Sequence, residues 1–83
     1  MNPPAMHLPP IKAAIFDAIK ASGELGVRSR EIINSEIYRD RKKPRTVSIR
    51  SHINQINDLL EETDWRIRSD RMRWFLVRVD AAE

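Results

Sequence analysis

Residues 46–79 read TVSIRSHINQINDLLEETDWRIRSDRMRWFLVRV, and within this stretch the apolar spacing changes once. Ile49, Ile53, Ile56 and Leu60 recur at intervals of four, three and four residues. At about 100° per residue they fall within one narrow arc, the buried stripe of a helix. The spacing predicts a helix over about Val47–Glu62, with Thr46 as its N-cap. The opposite face carries Ser51, Asn54, Gln55 and Asp58, flanked by Ser48 and Arg50. Val47, at its start, is the only large apolar group on that face. Thr63-Asp64 ends the helical pattern. Trp65-Arg66-Ile67-Arg68 then alternates apolar and basic, which predicts a strand, and Met72–Val79 predicts a second. The tip between them, Ser69-Asp70-Arg71, holds no glycine, so a tight primed turn is not expected there.

The upstream chain supplies two more helices. Pro9-Pro10 opens the first, where a missing N–H is harmless, and Ile11, Ala14, Ile15, Ala18 and Ile19 form its apolar stripe. Ser22-Gly23 stops it, with Gly23 suited to a left-handed C′ position. Glu24–Arg28 is a connector from which Val27 can turn inward. Ser29 is placed as an N-cap, and Glu31 falls in the first turn of a second helix, roughly Arg30–Tyr38, carrying Ile32, Ile33, Ile37 and Tyr38. Residues 39–45, with a proline and many like charges, read as a loop. The order is helix, helix, charged loop, long helix, hairpin. The predicted fold is mainly α with a small β-hairpin: a winged helix-turn-helix of three helices and a two-stranded wing over residues 10–79. Residues 1–9 read as a flexible leader and 80–83 as a flexible tail.

Composition narrows the function. The 83 residues suffice for one small domain, and 41% hydrophobic with 33% charged residues fits a globular chain with a charged surface. There is no cysteine, which excludes disulfides, thiolate zinc sites and cysteine nucleophiles and suits a reducing cytoplasm. No apolar run approaches a membrane span, and the first ten residues lack the pattern of a signal peptide. The formal net charge is +3, but it is unevenly placed. Lys12 and Lys20 are offset by Asp17 and Glu24. The excess lies in the middle, at Arg28, Arg30, Arg39, Arg41, Lys42, Lys43, Arg45 and Arg50. Arg66, Arg68, Arg71 and Arg73 crowd a second short segment. Two basic clusters on a small domain point to a polyanionic partner.

The chain also resembles a known family. Val27-Arg28-Ser29-Arg30-Glu31-Ile32-Ile33 is similar to the start of the second helix in the winged-helix effector domains of bacterial OmpR/PhoB-type response regulators. Ser51–Leu60, with its His52-Ile53 pair, resembles their recognition helix, and Ile67 with Trp74–Leu76 resembles their wing strands. The likeness runs from about Leu8 to Val77. It departs where the family carries a sheet before the first helix, at Asn57 and Asp58, where basic residues are common, and at Arg71 and Arg73, where wing glycines are common. The resemblance implies that the third helix enters the major groove of duplex DNA and that the wing rests on adjacent backbone.

On that reading Asn54 and Gln55 pair with adenine, and Arg50 reaches guanine or a phosphate. Ser48 and Ser51 serve either, and Asp58 lies beyond the groove, accepts from cytosine or pairs with a wing arginine. Arg41, Lys42, Lys43 and Arg45 meet phosphates, and Arg68, Arg71 and Arg73 on the wing grip a second stretch of backbone, or one of them enters a narrow minor groove. The expectation is sequence-specific binding of double-stranded DNA in the nucleoid of the cytoplasm, in transcription regulation. Homodimer or tandem binding is expected, with a transcription-machinery partner also open, and no membrane partner, cofactor, metal or catalysis. Two alternatives stay open: a winged helix that contacts an acidic protein, and a non-specific nucleic-acid binder. His7 and His52 lack ligand spacing, and Trp65, Trp74 and Phe75 are placed in the core.

Overall fold

The computed structural model describes residues 6–79. The described chain is a small α+β domain of three α-helices and a two-stranded antiparallel hairpin. The first helix, α1, spans Pro10–Ser22 and buries Ile15, Phe16 and Ile19. Pro10 opens it, and Gly23 closes it at φ +55 with its N–H donating to the carbonyl of Lys20. A 3₁₀ turn over Gly23–Leu25 leads into the connector. Ahead of α1, the side chains of Met6 and Leu8 pack against the core. The rest of the leader and the tail at 80–83 lie outside the described residues.

The second helix is shorter than its apolar pattern predicts. α2 spans Ser29–Ile33, and a separate 3₁₀ turn covers Glu36–Tyr38. Ser35 divides them. Its hydroxyl donates to the Ile32 carbonyl at 2.6 Å and accepts from the Ile37 N–H at 3.3 Å, which replaces helical bonds with local ones. Ser29 is not the N-cap. It is the first helical residue, Arg28 precedes it, and the Glu31 carboxylate accepts from the Arg28 N–H at 2.9 Å. The third helix, α3, spans Thr46–Leu60, with Arg45 rather than Thr46 at the N-cap. It buries the expected stripe of Ile49, Ile53, Ile56 and Leu60.

These stripes meet in one core with Ile32, Ile33, Tyr38 and, from the hairpin, Ile67. Eight of the eleven buried apolar residues are isoleucine. Their branched side chains hold few rotamers, so a small core without cross-links still packs in one way.

The hairpin consists of β1, Trp65–Asp70, and β2, Arg73–Arg78, in a register that pairs Asp70 with Arg73 and Ile67 with Leu76. The loop is therefore two residues, Arg71 and Met72, at φ +52 and +66. Two consecutive left-handed residues make a primed turn. This corrects the sequence reading: the turn forms without glycine or asparagine because the strands beside it are held elsewhere. Val27 forms a bridge with Trp74, donating at 3.0 Å and accepting at 2.7 Å. The Asn57 side chain, from α3, donates to the Ile67 carbonyl at 2.9 Å and accepts its N–H at 2.7 Å. Trp74 Nε1 donates to the Ser29 hydroxyl at 2.8 Å. Each edge of the hairpin is thus pinned to a different part of the helical body.

Gly26 makes the Val27 bridge possible. It sits at φ +71, and a Cβ there would stand 2.6 Å from the Phe75 ring. Only glycine lets the connector approach β2 this closely.

Candidate nucleic-acid interface

Burying the isoleucine stripe of α3 against α1 and α2 leaves its other face in solvent. Arg50, Ser51, Asn54, Gln55 and Asp58 are exposed there, and Ser48 is half-buried at the margin. Among the described residues, no hydrogen bond or ion pair engages the side chains of Arg50, Ser51, Asn54, Gln55 or Asp58, so their polar atoms are available to a partner. His52, on the flank, belongs to the body instead. Its ring is half-buried, its Nδ1 lacks a partner among the described residues, and burial together with the Lys12 ammonium holds its pKa below the usual 6.5.

An open cleft of about 710 Å³ runs between the start of α2, the first half of α3 and the hairpin tip. Arg28 lines it from just before α2, Arg30 from α2, Arg50 from α3 and Arg71 from the turn. Val47, Met72 and Trp74 contribute its apolar surface. Arg28 and Arg30 were counted in the basic excess of the sequence but given no role by it. The signal that could have found them is their position astride the start of α2, beside the connector that pairs with the hairpin.

Arg66, Arg68, Arg71 and Arg73 do not form one patch. Arg66 folds back over the end of α3, where its guanidinium donates to the carbonyls of Leu60, Glu61 and Thr63. It braces the end of the helix, where the Leu60 carbonyl also accepts from the Thr63 N–H at 2.8 Å. Arg73 is half-buried, 3.8 Å from the Glu31 carboxylate, and donates to the Leu25 carbonyl at 3.4 Å. Arg68 is exposed in a shallow depression of about 370 Å³ that Arg66, Asp58 and Glu61 also line. Arg71 alone of the four faces the cleft. The sequence reading grouped Arg68, Arg71 and Arg73 as one set of wing cations; the fold separates them.

The basic loop precedes α3, and Arg41, Lys42, Lys43 and Arg45 are all exposed. Lys43 is tethered by a 2.9 Å bond to Asn34 Oδ1. Arg41 stands near the buried Tyr38 phenol, whose pKa is raised by burial and partly offset by that cation. Arg39, outside the expected set, pairs with Glu36 at 2.8 Å.

Among the described residues, no cluster of three His, Cys, Asp or Glu residues could hold a metal ion, and no helix is long and apolar enough to cross a membrane. No protein-family model, curated protein or solved structure matches this chain.

Proposed function

We propose that this chain is a winged-helix domain that binds double-stranded DNA in a sequence-specific way and serves transcription regulation in the cytoplasm. One observation carries the reading. The uncommitted amides of Asn54 and Gln55 stand on an exposed helix face bordered by a cleft with four arginine side chains, Arg28, Arg30, Arg50 and Arg71. Side-chain amides and guanidinium groups match the donor and acceptor pattern of base edges in the major groove. Cations beside them meet the flanking phosphates, which fix position without carrying sequence. The resemblance to OmpR/PhoB-type effector domains supports the same docking, with α3 in the groove and the hairpin on neighbouring backbone. A surface this small binds weakly alone, so two copies on repeated or palindromic half-sites are proposed.

Fluorescence anisotropy on labelled duplexes tests this. If about five phosphates are neutralised, log K falls against log salt with a slope near −4 to −5. Asn54→Ala and Gln55→Ala weaken a selected site more than random duplex, while Arg28→Ala, Arg30→Ala and Arg71→Ala weaken both alike. A flat salt response at measurable affinity, or no binding at low salt, ends the proposal. Equal affinity for all duplexes leaves a non-specific binder. Asp58 favours a second reading, a protein partner that presents a basic group beside acidic ones, because its exposed carboxylate repels phosphates and would pair with that group. Asp58→Asn separates them: DNA affinity rises if the carboxylate lies near backbone, and a protein contact made through it is lost.

A further inference from the structure

We propose that Val47 reads the C5-methyl group of a thymine in the major groove; this rests on the duplex-DNA reading above. Val47 lies nine positions before the fully buried Ile56, about 180° around the helix from it. It therefore points along the middle of the outward face, within about 40° of Ser51, Asn54 and Asp58. It is 64% exposed, at the second residue of α3, and lines the cleft beside Arg50. No other large apolar side chain occupies that face, since Leu59, the other exposed apolar residue of α3, lies about 120° away.

The chemistry of base pairs supplies its complement. Among the groups that the four base pairs present in the major groove, the thymine C5-methyl is the apolar one. Helix residues near the N-terminus are those that reach base edges in helix-turn-helix docking. Valine suits the contact because its χ1 freedom is already restricted in a helix, so little is lost on ordering it. Arg50, one turn further on, occupies the neighbouring pair or phosphate, which sets the register of the methyl contact.

The test starts from a duplex recovered by random-site selection on the whole chain. Each thymine of that duplex is replaced in turn by deoxyuridine, which removes one methyl group and leaves every hydrogen-bonding group in place. At one position per half-site, affinity of the native chain falls about fourfold, the equivalent of about 0.8 kcal/mol for one buried carbon group. In Val47→Ala the same replacement changes affinity by less than about 1.5-fold. The variant folds, because alanine at an exposed helix position raises helix propensity, and an unchanged thermal melt checks this. Uracil tolerance at every position, or a uracil penalty that persists in Val47→Ala, overturns the inference while binding to the selected site stands. Failure of selection to recover any preferred duplex overturns the DNA reading itself, and this inference with it.

Discussion

Asn57→Ala tests how the hairpin is held. Asn57 makes two bonds to the backbone of Ile67, one from its amide nitrogen at 2.9 Å and one to its amide oxygen at 2.7 Å. Ile67 is 4% exposed, and these bonds occupy the edge of β1 that faces away from β2. Alanine leaves one N–H and one carbonyl without partners. Each such loss costs about 1–3 kcal/mol when water cannot replace the partner. The shallow depression beside Asn57 admits some water, so the low end of that range applies, about 1–1.5 kcal/mol for each group and about 2–3 kcal/mol for the pair. A domain of this length is stable by about 4–12 kcal/mol in total. At about 4–8 °C per kcal/mol, the melting temperature drops by about 8–24 °C. Far-ultraviolet circular dichroism measures it, and amide exchange at Ile67 should accelerate ahead of the α1 amides. Asn57→Asp at neutral pH is expected to fare no better, because a carboxylate oxygen then faces the Ile67 carbonyl. A fall below about 4 °C for the alanine variant would refute the claim that this side chain fastens the hairpin to α3.

Three other perturbations follow from the same geometry. Arg71→Asn with Met72→Gly places residues that accept positive φ in the primed turn and should stabilise the chain by about 1–2 kcal/mol in a thermal melt; under the proposed function it should also lower DNA affinity evenly across sequences. Gly26→Ala forces a methyl group against the Phe75 ring at positive φ, whereas Gly23→Ala has open space around its Cβ and carries only the backbone penalty, about 1–3 kcal/mol at φ +55 and ψ −133, so Gly26→Ala should have the lower melting temperature of the two. His52 has its pKa lowered by burial and Lys12, so as pH falls below about 6.5 the unfolded chain takes up the proton first. Stability is full above that pH and declines through the folded-state pKa, and His52→Gln should flatten the change in melting temperature between about pH 7.5 and about pH 5.5.

Much of the architecture was legible because its signals are periodic. Ile49, Ile53, Ile56 and Leu60 specify a helix face without glycine or proline to interrupt it, and α3 buries all four. The switch to alternation at Trp65 marks the start of β1. What escaped the sequence is set by groups that are distant in the chain. Ser29 carries the signature of an N-cap, yet its hydroxyl accepts from Trp74, 45 residues away. Val27 pairs with β2 only because Gly26 lets it approach. The turn at Arg71-Met72 contradicts local preference because the Val27–Trp74 and Asn57–Ile67 contacts hold the strands in register. Local propensity amounts to about 1 kcal/mol per residue, less than these anchors supply.

Charge was the least legible property, for a physical reason. A guanidinium carries the same charge wherever it lies in the sequence, but its availability depends on which acceptors the fold brings within reach. Arg66 meets carbonyls just beyond the end of α3, and Arg73 meets Glu31 and the Leu25 carbonyl, so both serve the fold first. Arg68 shares a depression with two carboxylates. Arg71 is left facing Arg28, Arg30 and Arg50 across the cleft, where like charges weaken the fold rather than support it. A basic cluster read from sequence therefore overstates one surface and misses another. Arginines gathered from α2, α3 and the hairpin tip become one field only after folding, and an anion entering the cleft relieves their mutual repulsion as well as gaining its own attraction.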